Sequence, residues 1–269
     1  MTDPAEIGQT LAADDGFAEE ADAADDRSRM SFLDHLDELR RRILYSLYAV
    51  IICCLFTFWY WDTMFVYLVS YFQEHGGTLI YNRPMGAFLF SMKVGVLSGL
   101  LIASPFVFSQ LWLFIAPGLY AKEKRVVIPF VFFSTLLFAA GALFAHLIAF
   151  PAMWRFFASY DGMGALQFFP TVDDTFSFYV KTLLGLGLTF QMPMLVFFLA
   201  RFGIVTARFL IKQFRYAFLI IFIAAAVITP SADPVTQTIF AAPMVLLYII
   251  SIGVAWIFGK RKPKEKETD

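Results

Sequence analysis

The chain has 269 residues, of which 59% are hydrophobic and only 16% charged, including 33 phenylalanines, and its mean hydropathy is +0.67. An ordinary soluble domain, with about a quarter of its residues charged, is excluded. The formal net charge of −1 gives no overall basic surplus that would attract nucleic acid.

That balance hides a split. Residues 1–29 hold nine acids and only Arg27 and Arg29 as bases, whereas the remainder carries nineteen basic and thirteen acidic residues. The first segment is Ala- and Asp-rich without an apolar run, so it reads as a disordered acidic extension. It lacks the basic start and apolar stretch of a secretory signal. Next comes Ser31-Phe-Leu-Asp-His-Leu-Asp-Glu-Leu-Arg-Arg-Arg42, which predicts a short amphipathic helix. Phe32, Leu33, Leu36 and Leu39 share one face, with Asp34, Asp37 and Glu38 toward the other. Ser31 and Asp34 have the spacing of a helix-start cap.

Six spans follow from apolar runs measured against the roughly 20 residues needed to cross a bilayer. They are Ile43–Tyr60, Phe88–Ala116, Val126–Phe150, Phe178–Phe202, the short Tyr216–Ile228, and Ile239–Phe258 before a basic tail at 260–269. Thirteen residues in the fifth cover about 20 Å, which predicts either a thinned bilayer or ends shielded by partners. Asp62–Ala87 and Pro151–Ser177 are read as outer loops, with Gly76-Gly77, Pro84, Pro151, Pro170, Gly162 and Gly164 as breakers. Arg40–Arg42, Lys122, Lys124, Arg125, Arg201, Arg208, Lys212, Arg215 and the tail cations then fall on one side, against Arg83 and Arg155 on the other. The positive-inside bias puts both termini in the cytoplasm.

Polar residues inside spans are the candidates for function. Lys93 and Lys181, near span ends, read as snorkelling residues. His146 reads as a hydrogen-bonded packing residue, and the adjacent Cys53 and Cys54 as small core residues without metal spacing. Gln191, in Phe190-Gln-Met-Pro193, needs a partner. That partner is either the carbonyl freed by Pro193 or a polar group on another membrane protein.

In its motifs the chain resembles the TatC family, the receptor subunits of the bacterial twin-arginine protein translocase. The likeness runs over about residues 30–259. It rests on His35-Leu-Asp-Glu-Leu-Arg40 and on Gln110-Leu-Trp-Leu-Phe-Ile-Ala-Pro-Gly-Leu-Tyr-Ala-Lys-Glu123. Phe150-Pro151, Phe190-Gln-Met-Pro193, Thr229-Pro230 through Asp233, and Gln237 support it. The resemblance implies an all-α integral membrane protein whose six transmembrane helices form a glove-like concave bundle in the bacterial cytoplasmic membrane. It implies a receptor that binds twin-arginine signal peptides and exports folded proteins on the proton-motive force, without a cofactor. Single-span TatA- and TatB-type partners, membrane lipid and self-association within the complex are implied with it.

On matching positions, Glu38 and Glu123 would pair with the two signal arginines, since a carboxylate takes a guanidinium bidentately and lysine lacks that fork. Arg40 would orient the first helix, and Phe114 would line the site. Gln191 would lie on the concave face, and Thr229, Asp233 and Gln237 would contact the single-span partners. Two positions depart from the family. Gln191 stands where Glu is usual, and an amide cannot titrate, so proton coupling loses its group there. Ser70-Tyr71 stands where proline is frequent in the first outer loop.

Two other classes fit less well. An intramembrane enzyme needs Ser/His, paired acids or bis-His ligands, and none appears at usable spacing. A six-span secondary transporter or channel for a small solute could use Lys93, Lys181 and Gln191. The sequence lacks the internal repeat and mid-membrane charge cluster of that class.

Overall fold

Long apolar runs leave the backbone only helices as a way to satisfy its hydrogen bonds in hydrocarbon. The computed structural model describes residues 35–76, 78–115, 127–159, 168–229 and 233–259. The acidic extension, the Ser31 cap, the loop at 116–126 and the basic tail lie outside them.

In chain order the helices are α1 (His35–Phe58), α2 (Trp61–Gly76), α3 (Gly86–Ile115), α4 (Val127–Phe144), a π turn (Ala145–Ala149), α5 (Phe150–Ser159), α6 (Val172–Thr189), α7 (Met192–Arg201), α8 (Ala207–Lys212), α9 (Phe214–Ile228) and α10 (Pro234–Phe258). Among the described residues, five continuous stretches are long and apolar enough to cross a membrane: α1, α3, Ile128–Ser159, Val172–Arg201 and α10. The fifth of the six expected spans, α9, is short in the structure too. Its fifteen residues reach about 22 Å.

Two expectations for the outer side are corrected. The segment read as a loop from Asp62 begins with α2, because Phe65, Leu68, Val69 and Phe72 recur at helical spacing and bury against the bundle. Pro151 does not end the third span. The preceding π turn absorbs the missing donor, with the Phe150 N–H donating to Ala145 O, and the helix runs on to Ser159.

The core lies where α2, α3, the π turn, α5, α6 and α10 meet. Phe72, Phe90, Phe150, Met153, Leu186 and Phe240 are fully buried there. A second cluster, Phe108, Trp112, Phe138, Met194 and Phe198, joins α3, α4 and α7. The Trp112 indole donates to Ser134 Oγ at 2.7 Å. By contrast α1 has only 6% of its apolar window buried, against 44% for α3. It is joined to α3 at Thr57, whose hydroxyl lies 2.8 Å from Gly95 O.

At the end of the bundle that carries α2, the first long connection clasps the second. Ile80 N–H donates to Pro170 O at 3.1 Å, and Val172 N–H donates to Ile80 O at 2.9 Å. Lys93 does not merely snorkel: it pairs with Asp173 at 2.7 Å, tying α3 to the start of α6. His146 is a packing residue as expected, placed between Tyr67 Oη (3.1 Å) and Tyr179 Oη (3.0 Å). Tyr71 stacks on its ring and donates its hydroxyl to the His146 carbonyl. Burial raises the Tyr71 phenol well above the ordinary tyrosine range, so it remains a donor. Tyr71→Phe is expected to cost about 1 kcal/mol and to speed amide exchange in α2, leaving α3 and α6 protected. Unchanged exchange in α2 would show that this bond does not tether it.

Candidate functional site

Most of the candidate residues lie at two ends of the bundle, with Gln191 apart from both at the contact of α4 with the α6–α7 turn. At the first, α1 and α3 run antiparallel, so the start of α1 meets the end of α3. Two contacts fix that meeting. The His35 ring stacks on Phe114 with centroids 4.5 Å apart and planes 19° from parallel. Four residues before Phe114, the buried Gln110 accepts from Arg42 Nη1 at 3.2 Å.

Glu38 and Arg42, one turn apart on α1, share the face toward α3. Arg42 Nη2 donates to Glu38 Oε1 at 3.1 Å, and the side chains are 26% and 32% exposed, Arg42 first. Glu38 is thus a carboxylate at the mouth of two spans, half-buried and still reachable. Arg42 Nε is buried without a hydrogen-bond partner among the described residues.

Arg40 does not join this cluster. It is exposed and lines a shallow groove with Asp37, Arg41, Leu44, Tyr45 and Tyr48. There Arg41 Nε donates to Tyr45 Oη at 2.8 Å. Two residues along a helix turn a side chain by about 200°, which puts Arg40 away from Glu38. The structure therefore brings Glu38 and Phe114 to one mouth and leaves Arg40 on another face. Glu123 lies outside the described residues.

Arg42 and Gln110 are the residues that sequence reasoning passed over as site members. The Glu38–Arg42 spacing of four was a legible signal. Gln110, 68 residues away from Arg42, carried none beyond being an amide that interrupts the second apolar run and opens one of the family-like blocks.

The other four candidates lie elsewhere. Gln191 sits in the turn between α6 and α7, and its Nε2 donates to Ser134 O on α4 at 2.8 Å. Its partner is a neighbouring helix, not the carbonyl freed by Pro193. Thr229 is buried and bonds back to Ala225 O. Asp233 caps α10, accepting from Thr236 N–H. Gln237 Nε2 donates to Phe222 O at 2.9 Å, joining α10 to α9. Thr229, Asp233 and Gln237 shape the α9–α10 end, while Gln191 belongs to the α4–α7 contact. Among the described residues, no group of three His, Cys, Asp or Glu stands together to hold a metal ion.

Among the described residues, five stretches long and apolar enough to span and a shorter sixth apolar helix define a multi-pass α-helical membrane protein, with a carboxylate–guanidinium–amide cluster at one mouth of the bundle. The family model described as Sec-independent protein translocase protein (TatC) matches residues 34–243. A Sec-independent protein translocase protein TatC of Koribacter versatilis (strain Ellin345) is 40% identical over 247 residues, covering 88% of this chain and 90% of that one. One from Helicobacter pylori (strain J99) is 37% identical over 235 residues, covering 87% and 92%. The crystal structure of a twin arginine translocase receptor, TatC, aligns with a TM-score of 0.73 at 34% identity, over 82% of this chain and 97% of that one. The chain belongs to the TatC family of Sec-independent protein translocase proteins.

Proposed function

We propose that this protein is the receptor and core subunit of a twin-arginine translocase, binding twin-arginine signal peptides and passing folded proteins across the bacterial cytoplasmic membrane. The observation that carries the reading is Glu38, a reachable carboxylate bonded to the Arg42 that reaches Gln110 on α3, and one turn along α1 from the His35 ring that stacks on Phe114. A carboxylate in that half-buried setting takes a guanidinium with two charge-assisted bonds. Glu123 is the proposed partner carboxylate for the second arginine, and Phe114 the apolar wall beside the peptide. Arg40 takes the other face of α1, where it and Arg41 anchor the helix at the cytoplasmic surface.

Both termini are cytoplasmic in this reading, because the basic residues cluster on that side. The acidic extension 1–29 and the tail 260–269 flank the membrane domain 30–259. The short α9 exposes Leu219, Ile220, Ile223 and Val227. Those side chains offer an apolar face for single-span TatA- and TatB-type partners at the end shaped by Thr229, Asp233 and Gln237. Gln191 sits on the concave face and recognises by hydrogen bonding, not by titration. The proton-motive force supplies the energy.

The test uses one folded reporter with an Arg-Arg or a Lys-Lys signal, in cells whose only TatC-family protein is this chain. Export is expected with Arg-Arg and is lost with Lys-Lys. Equal export of the two would reject the receptor reading.

A further inference from the structure

We propose that Arg42 is a built-in competitor for the Glu38 carboxylate, and that this competition sets the affinity a signal peptide must exceed to occupy the site. The inference rests on the reading in which Glu38 receives a signal-peptide arginine. It starts from the way Arg42 is held. Only Nη2 reaches Glu38, at Oε1, so the internal pair is a single bond and not the two-bond fork of which both groups are capable. Nη1 is turned to Gln110 Oε1, and Nε is buried without a partner among the described residues. Gln110 thus pulls the guanidinium out of the geometry that would saturate the carboxylate.

An exposed or half-exposed pair four residues apart on a helix is weak, so it exchanges readily. An incoming arginine reaches both oxygens of Glu38 and makes two bonds where Arg42 makes one. Arg42 is not stranded when it leaves, because Gln110 still holds Nη1. An incoming lysine offers one point-charge contact, which only replaces the bond it breaks, and its ammonium is more strongly hydrated. The internal arginine weakens both ligands by the same factor, and so sets a threshold that a two-bond guanidinium passes and a one-bond ammonium does not. Asp37, Arg40 and Arg41 border the groove on the other face of α1, so they do not share the exchange.

The experiment measures binding of one signal peptide, in Arg-Arg and Lys-Lys versions, to the full chain in lipid nanodiscs. Arg42→Gln can still bond Gln110 but no longer holds Glu38 by charge. It is expected to tighten binding of both peptides by about tenfold, the scale of one charge-assisted hydrogen bond, and to leave their affinity ratio unchanged because both displace the same internal bond. Arg42→Lys keeps the charge and a one-bond competitor, and is expected to leave both affinities near those of the parent chain. Affinities unmoved by Arg42→Gln, or raised equally by Arg42→Lys, overturn the competition and leave Arg42 as a residue that merely orients Glu38. Glu38→Gln separates the two levels. If it binds both peptides normally, the reading of the site fails. If it loses binding while Arg42→Gln leaves both affinities unchanged, only the competitor fails.

Discussion

Glu38→Ala combined with Glu123→Ala is expected to abolish crosslinking of a twin-arginine precursor to this protein while leaving its membrane insertion intact. Each hydrogen-bonded charge pair is worth about 1.5–3 kcal/mol, or roughly ten- to a hundredfold in affinity, so losing two takes a micromolar complex out of the detectable range. Insertion is set by the apolar spans and by the Arg40–Arg42 cluster, neither of which the substitutions touch. The fold near Glu38 should also hold, because Arg42 keeps Gln110 and His35 keeps its stack on Phe114. Asp37→Ala is the matched control. It removes a carboxylate one residue away that faces the groove of Arg40 and Arg41, and precursor crosslinking should survive it. Crosslinking retained by the double variant, or lost equally in Asp37→Ala, would remove Glu38 from the site.

How far the site could be read ahead of the structure follows from the range of the interactions involved. Glu38 was legible because its helix, its basic neighbours and the adjoining span are contiguous. Its grip by Arg42 was half legible, as a spacing of four on one helix. The Gln110 contact was not, since only the antiparallel pairing of α1 with α3 brings those residues together. Spans announced themselves by hydropathy alone. The helix α2 did not, because its mean apolarity is modest and the Gly76-Gly77 pair drew attention from the Leu68, Tyr71 and Phe72 face that buries it. Pro151 misled for a related reason. A proline removes a donor in any helix, but whether the chain stops or widens into a π turn depends on packing around Phe150. That a mid-membrane amide at Gln191 needs a partner was a sound expectation. Which carbonyl supplies it depends on how closely α4 approaches the α6–α7 turn.

That approach rests on two facing glycines and gives the largest expected effect on stability. A Cβ at Gly141 would lie 2.9 Å from both the Gly187 Cα and the Leu186 carbonyl oxygen, and 2.8 Å from Phe190 Cγ. Two of those three atoms belong to backbone, which cannot turn aside as a side chain does. Gly141→Ala should therefore push α4 from α6 and cost about 1–3 kcal/mol, despite alanine's higher helix propensity. The same displacement lengthens the Gln191–Ser134 bond, because Ser134 lies two turns from Gly141 on the same face of α4. Gly253→Ala on α10 supplies the contrast, for its Cβ would meet nothing within 4 Å. There alanine should be neutral or stabilising by up to about 1 kcal/mol. Thermal unfolding in detergent measures both. Gly141→Ala should lower the midpoint by several degrees, by roughly 2–4 °C per kcal/mol for a chain of this size, and Gly253→Ala should hold or raise it. Equal midpoints for the two variants would mean that α4 and α6 do not depend on this contact. In a bilayer there is no hydrophobic drive to press helices together, so backbone approach of this kind is what holds α4 against α6 and keeps Ser134 within reach of Gln191.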